Sequence, residues 1–224
     1  MKKILYLGTD PTFFKGDGEV IHYPMIRLVP RSIQDPIIQT MLTDIEFFTH
    51  LLFTSKNAVR FFLHLLALGN IPKDILQQKQ CICVGKVTAH HLEKEGIIPA
   101  IVAKEETQEG VIAELEEIDL ASAYVCFPRS SLSRPSLVAF FVKSQIRFLV
   151  CTIYDTVPYC KGPRPHLDTI EEIVFTSPST VEAFFQVFGM PPSHVQCACI
   201  GPITEKAFKA KFPSYPKSRP KSAF

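Results

Sequence analysis

The sequence predicts an α/β protein of two parallel-sheet domains, one inserted into the other, and three observations carry that prediction. The first is an internal repeat. Phe53-Thr54-Ser55 opens an F-T-S-x-x-x-V-x-x-F phrase that runs to Val59 and Phe62, and Phe175-Thr176-Ser177 opens the same phrase, running to Val181 and Phe184. A second phrase, C-x-C-[VI]-G-x-[VI]-T, follows each copy, as Cys81 to Thr88 and as Cys197 to Thr204. Two copies about 120 residues apart imply two similar modules. The second observation is alternation: apolar runs end in small hydroxyl or glycine residues and pass into amphipathic stretches, as when a buried strand enters a helix. The third is that each end of the chain is too short to make such a module alone, so both ends must share one.

Taken in order, Lys3 to Leu7 reads as a first buried strand and Val20 to Leu28 as a second. The chain then crosses near Val29-Pro30-Arg31-Ser32 into the middle domain, with strands expected at Leu51 to Thr54, Gln80 to Val84, Ile97 to Val102, Ala123 to Phe127 and Ile146 to Tyr154. Helices over Asn57 to Leu68, Val87 to Glu95 (stopped by Gly96), Val111 to Ile118 and Leu132 to Ser144 would connect adjacent parallel strands. Val157 to Pro165, the richest proline and glycine cluster, carries the chain back, and Ile173 to Phe175 and Val195 to Ile200 add strands to the first sheet. The expected boundaries are therefore residues 1–30 and 164–224 for the discontinuous domain and 33–156 for the inserted one, with linkers at 29–33 and 157–165. Paired linkers of this kind predict a hinge over a cleft.

Composition narrows the class. With 224 residues, 46% of them hydrophobic and 21% charged, the chain has an ordinary soluble globular composition and room for two modest domains. No apolar run reaches the ~18 residues of a spanning helix, and the Met1-Lys2-Lys3-Ile4-Leu5 start lacks a small-residue cleavage site. Seven scattered cysteines in a chain without secretion signals predict reduced thiols and a cytoplasmic location. A net charge of +2 does not call for nucleic acid, and the basic stretch from Lys209 to Lys221 is read as solubilising.

Several familiar chemistries fail when written out. Gly85-Lys86 has no glycine five residues before it and Val87 in place of Ser or Thr, so it is no phosphate loop; Gly16-Asp17-Gly18 lacks the third glycine of a dinucleotide fingerprint. The Cys81/Cys83 and Cys197/Cys199 pairs have neither zinc spacing nor histidines beside them, and core packing is the expected role; no metal is predicted. What remains are hydroxyls and glycines at helix starts: Ser55, Gly85 and Thr88 in one copy, Ser177, Ser179, Gly201 and Thr204 in the other. A helix cap accounts for any one hydroxyl taken singly. Four helix starts on one scheme point further, because each presents free N–H groups and partial positive charge, and together they would hold a large polyanion. Arg129, in the basic turn Pro128 to Arg134, would add a cation where a strand ends. Tyr154, at the end of a long strand, would present a phenol to the cleft.

The phrases FTSKNAV, CVGKVTA, TIYDTVP, FTSPSTVEAF and CIGPITEKAF, in that order over nearly the whole chain, resemble the uroporphyrinogen-III synthase family. The resemblance implies two flavodoxin-like (Rossmann-like) domains joined by a two-stranded linker. It implies cyclisation of the linear tetrapyrrole hydroxymethylbilane to uroporphyrinogen III, with loss of water and inversion of the terminal pyrrole ring through a spiro intermediate, in haem biosynthesis. That substrate bears eight carboxylates, and the chemistry asks for no cofactor. By the same resemblance Tyr154 corresponds to the tyrosine that assists the departing hydroxyl. Ser55 and Ser177 correspond to the serines at the ligand edge of each sheet, and Thr88 and Thr204 to the threonines after the glycine loops Gly85 and Gly201. The chain departs from the family pattern in Gly8-Thr9-Asp10, where many relatives carry an arginine, in a helix shortened to Pro11 through Gly18, and in a last helix missing after Ser218. A monomeric, cofactor-free lyase of the cytoplasm is the expectation. A non-catalytic tetrapyrrole-binding or sensing module and a metal-linked regulator using the cysteine pairs are its rivals.

Overall fold

The computed structural model describes residues 1–12, 14–160, 162–216 and 218–221, the last four by backbone alone. Lys161 of the second expected linker and Lys217 of the basic tail lie outside the described residues. In chain order the strands are β1 (Lys3–Tyr6), β2 (Glu19–His22), β3 (Ile26–Pro30), β4 (His50–Phe53), β5 (Gln80–Cys83), β6 (Ile101–Val102), β7 (Tyr124–Ser130), β8 (Arg147–Pro158), β9 (Glu172–Phe175), β10 (Gln196–Ile200) and β11 (Ser218–Lys221). The helices are α1 (Pro36–Thr43), α2 (Lys56–Leu68), α3 (Lys86–Glu93), α4 (Gln108–Glu116), α5 (Ser136–Lys143), α6 (Pro178–Phe188) and α7 (Pro202–Lys211).

The chain divides into two compact units, Met1–Leu28 with Thr156–Phe224, and Val29–Asp155. The sheet of the first unit runs β2-β1-β9-β10-β11, parallel throughout. In chain order that is the doubly wound 2-1-3-4-5 arrangement, whose order reverses between β1 and β9. The sheet of the second unit runs β6-β5-β4-β7-β8-β3, and its β4, β5, β6, β7 and β8 ladders are parallel. Leaving out the edge strand β3, this is the 3-2-1-4-5 order, which reverses between β4 and β7. In such sheets ligands bind outside the carboxyl ends of the strands at the point of reversal.

The repeated phrase is the unit of packing in both. Phe53, at the end of β4, meets Phe62 of α2 edge to face, with centroids 5.4 Å apart; Phe175, at the end of β9, meets Phe184 of α6 in the same way at 5.3 Å. Val59 and Val181 fill the same positions on the inner faces of the two helices, and all six side chains are buried. Edge-to-face aromatic pairs add to area burial because the positive ring edge meets the negative face. Phe127, Phe141 and Val125 extend the core of the second unit, and Phe208, Phe212 and Leu5 that of the first.

Several expected elements are corrected. Val20 to Leu28 is two strands rather than one, parted around Pro24, and they lie in different sheets: β2 beside β1, β3 beside β8. The strand expected from Ile97 begins only at Ile101, after Gly96 in the left-handed region (φ 81°) and Pro99, which has no N–H to give a ladder. The helix expected from Leu132 begins at Ser136, because Pro135 disfavours helical backbone at Arg134. Not every crossover joins neighbours: α4 leads from β6 at the sheet edge to β7 beside β4. No helix forms among the described residues of 11–18, where Phe14 N–H closes a turn on the Pro11 carbonyl. After Ser218 the chain adds a strand, β11, parallel to β10. Helix α1 is an element beyond those expected, and its residues account for it: Asp35 accepts from Ile37 N–H, Pro36 holds the first turn, and Ile38, Met41 and Leu42 form its buried stripe.

Candidate functional site

In the second unit the sheet reverses between β4 and β7, and the residues gathered beside that point come from the ends of those two strands and from the neighbouring β8. Ser55 has extended backbone and caps α2, its Oγ accepting from Ala58 N–H at 3.0 Å. The same Oγ lies 3.1 Å from the Tyr154 hydroxyl. Tyr154 comes from β8, which continues beyond it to Pro158, and not from the strand's end as expected. Its ring stacks on Phe61 of α2, centroids 4.8 Å apart and planes 27° off parallel, and only 5% of the residue is exposed. Burial pushes the phenol above its ordinary range; hydrogen bonds with the Ser55 and Ser130 side chains and the charge of Arg60 act in the opposite direction.

Ser130 reaches the phenol through an irregularity in the ladder. Arg129 pairs with Thr152 across β7 and β8, and the next pair is Ser130 with Tyr154, so Ile153 is the extra residue of a bulge. Bulges of this kind re-aim side chains. Without it Ser130 would face Ile153 and the hydroxyl would lie one residue away from the tyrosine. Ser130 Oγ also accepts from Leu132 N–H at 3.3 Å.

Arg129 stands at the same strand end. Its Nε is buried with no hydrogen-bond partner, its guanidinium lies 5.9 Å from the Phe127 ring centroid, and desolvation pushes it below the usual arginine range. The other cation of that turn is already used. Arg134 donates to both carboxylate oxygens of Glu109 at 2.6 and 2.8 Å and holds that carboxyl down to about 2. Of the two arginines, Arg129 is the one whose buried Nε has no hydrogen-bond partner.

One strand further, Gly85 caps α3 with extended backbone that any residue adopts (φ −179°). What its missing side chain permits is close approach. Glu106 donates nothing here: its Oε1 accepts from Lys86 N–H at 3.0 Å, and a Cβ on Gly85 would meet the Glu106 carboxyl carbon at 2.5 Å. The protein's own carboxylate thus sits on the helix start that the sequence offered to a ligand. Thr88 lies within the first turn of α3, buried, rather than at the cap.

In the first unit the corresponding hydroxyls are bound up locally. Ser177 Oγ caps α6, accepting from Thr180 N–H at 3.3 Å, and the Thr180 hydroxyl accepts from Ser177 N–H at 3.2 Å and Thr176 N–H at 3.1 Å. Ser179 Oγ is 2.8 Å from Ser177 Oγ. Gly201 caps α7 in the left-handed region (φ 78°), with open space where a side chain would project, and Thr204 is buried in the first turn of that helix. Cys81, Cys83, Cys197 and Cys199 are wholly buried, and burial pushes each thiol up to about 12. Among the described residues no group of three His, Cys, Asp or Glu is placed to hold a metal, and no helix is long and apolar enough to cross a membrane.

The sequence matches the family model described as uroporphyrinogen-III synthase HemD over residues 13–218. The chain belongs to the uroporphyrinogen-III synthase family. A uroporphyrinogen-III synthase of Chlorobaculum parvum is 31% identical over 186 residues, 78% of this chain and 74% of that one. A protein named putative uroporphyrinogen-III synthase, from Methanothermobacter thermautotrophicus, is 29% identical over 68% of this chain and 65% of its own length. Among solved structures, a mutant uroporphyrinogen III synthase of Thermus thermophilus superposes with a TM-score of 0.67 at 14% identity, covering 100% of this chain and 94% of that one. The Helicobacter pylori uroporphyrinogen-III synthetase superposes with a TM-score of 0.64 at 20% identity, over 100% and 94%. The family thus rests on sequence, and the structural neighbours add the fold.

Proposed function

We propose that this chain cyclises hydroxymethylbilane to uroporphyrinogen III, the reaction of its family, and that Tyr154 is the group that assists the departing hydroxyl. The observation that carries this reading is the Tyr154 phenol, buried on Phe61 and bonded to Ser55 at 3.1 Å, one strand from the reversal point of the sheet. A phenol held in a desolvated site stays protonated at neutral pH and can donate to the leaving oxygen. Loss of that oxygen as water leaves a carbocation stabilised by the pyrrole nitrogen. The rest of the task is to hold the chain folded so that ring inversion outruns direct closure, which is a matter of orientation.

Substrate carboxylates are assigned to Arg129, whose unpartnered Nε supports the assignment, and to the helix starts at Ser55, Gly85, Thr88, Ser177, Ser179, Gly201 and Thr204. At α3 a substrate carboxylate would have to displace Glu106. The reading includes no cofactor, nucleic acid or membrane partner, and a monomer working in the cytoplasm. Incubation of the purified protein with freshly made hydroxymethylbilane, followed by separation of isomers, tests it. Type III product well above the type I background is expected; type I alone would leave the chain a binding module.

A further inference from the structure

Tyr154 can act as an acid only if the phenolate it becomes is tolerated in a buried place. The residue is 5% exposed and its ring lies against Phe61, so an unassisted phenolate would lose its water without compensation. Two hydroxyls meet its oxygen. Each of them already accepts a backbone N–H: Ser55 Oγ from Ala58 at 3.0 Å, Ser130 Oγ from Leu132 at 3.3 Å. A serine that accepts a backbone N–H keeps its own hydrogen to give. Both serines are therefore set to donate to the phenol oxygen, Ser55 across 3.1 Å and Ser130 from the bulged position opposite. Ser55 also stands at the start of α2, whose free N–H groups favour negative charge close by.

We propose that Ser55 and Ser130 are positioning residues which hold the Tyr154 phenol and stabilise the phenolate formed when it gives up its proton. The inference rests on the reading of Tyr154 as the proton donor. In the step, the phenol O–H bond breaks and its proton joins the hydroxyl oxygen of the bilane. The carbon–oxygen bond then breaks with its electron pair on oxygen, releasing water and leaving phenolate beside an azafulvenium cation. When ring closure is complete and the attacked pyrrole carbon loses its proton to restore aromaticity, the phenolate takes that proton back. The balance is one bilane to one macrocycle and one water, with the tyrosine regenerated. The Ser55 hydroxyl thus acts through Tyr154 while the N–H groups of the α2 start remain for substrate, and Ser130, from the basic turn Pro128 to Arg134, joins it.

The test is a double-mutant comparison with hydroxymethylbilane as substrate. Ser55→Gly keeps most of the cap, since glycine at that position costs only a few tenths of a kcal/mol, and Ser130→Ala removes one hydroxyl from a strand. Each is expected to lower kcat roughly 10-fold to 100-fold, the rate equivalent of one hydrogen bond to a charged group, with KM little changed. Ser55→Thr restores the hydroxyl and should restore kcat. Added to Tyr154→Phe, neither serine change should lower kcat further. Serine effects that persist at full size in the Tyr154→Phe protein, or that appear in KM alone, would overturn the inference while leaving the tyrosine's role standing. Full turnover by Tyr154→Phe itself would remove that role, and this inference with it. Thermal melting of each variant separates loss of fold from loss of rate.

Discussion

The two copies of the repeated phrase share a skeleton and differ in what their serine touches. In each, a strand-end phenylalanine meets a helix phenylalanine edge to face, a valine packs beneath, and an extended serine caps the helix. In the first unit the cap is closed on itself: Ser177, Ser179 and Thr180 satisfy one another and the backbone. In the second unit Ser55 has no such circle and its oxygen meets a buried tyrosine from another strand. The same local chemistry thus makes a self-contained helix start in one place and, in the other, the corner to which the proposed proton donor belongs. A repeated motif marks shared architecture; the long-range neighbour is what distinguishes one copy from the other.

The sharpest break of this comparison sets the shared part against the divergent part. Phe53→Ala and Phe175→Ala should each cost about 3 to 5 kcal/mol, because both leave a cavity beneath a helix, and thermal or denaturant unfolding will read the loss. Equal losses are expected, since the two pairs have the same geometry. A second pair separates the serines. Ser177→Ala removes half of a capping box and should cost about 1 kcal/mol of stability, with any effect on catalysis appearing in KM. Ser55→Ala has the same cap cost and lowers kcat in addition. If the two substitutions give the same kinetic pattern, the corner at Tyr154 is no different from the plain cap.

The glycines sharpen the comparison at a smaller scale. Gly201→Ala places a side chain at φ 78° and should cost about 1 to 2 kcal/mol in melting experiments, although the space around it is open. Gly85→Ala is free of backbone strain, and its Cβ must instead push the Glu106 carboxylate off Lys86 N–H. It should change stability less than Gly201→Ala and substrate affinity more. Smallest in effect is thiol labelling. Six described cysteines are buried and Cys160 is exposed, so a thiol reagent at neutral pH should label Cys160 rapidly and the others only on unfolding. Rapid labelling at Cys81 or Cys197 would show that those strands open.

Much of the architecture could be read from the residues, because repeats, apolar runs and breakers act locally. The alternation of strand and helix, the buried cysteines and the serine caps all follow from neighbours within a few positions. The order of the strands did not, nor did the two sheets parted around Pro24, since pairing partners lie far apart in sequence. The site divides in the same way. Ser55 and Tyr154 were visible as a cap and an amphipathic strand residue, yet their 3.1 Å contact spans 99 positions. Ser130 stood out only as part of the basic turn Pro128 to Arg134, and its place opposite Tyr154 was not legible because a bulge, which has no sequence signature here, puts it there. Glu106 reaches α3 from a loop 20 positions away, and nothing in the G-K-V-T phrase announces a carboxylate on its helix start.

The central claim is that the divergent corner of the second unit supplies the acid. Replacing Tyr154 by phenylalanine removes one oxygen and keeps the stacking on Phe61, so the fold should survive, and circular dichroism and melting can check it. Single-turnover measurement with hydroxymethylbilane, separating the type I and type III isomers, then reads the chemistry directly. The account predicts a fall in turnover of about 10² to 10⁴ and a rising share of type I product, as spontaneous closure overtakes the slowed enzyme. Wild-type turnover and product ratio from a well-folded Tyr154→Phe protein would contradict it.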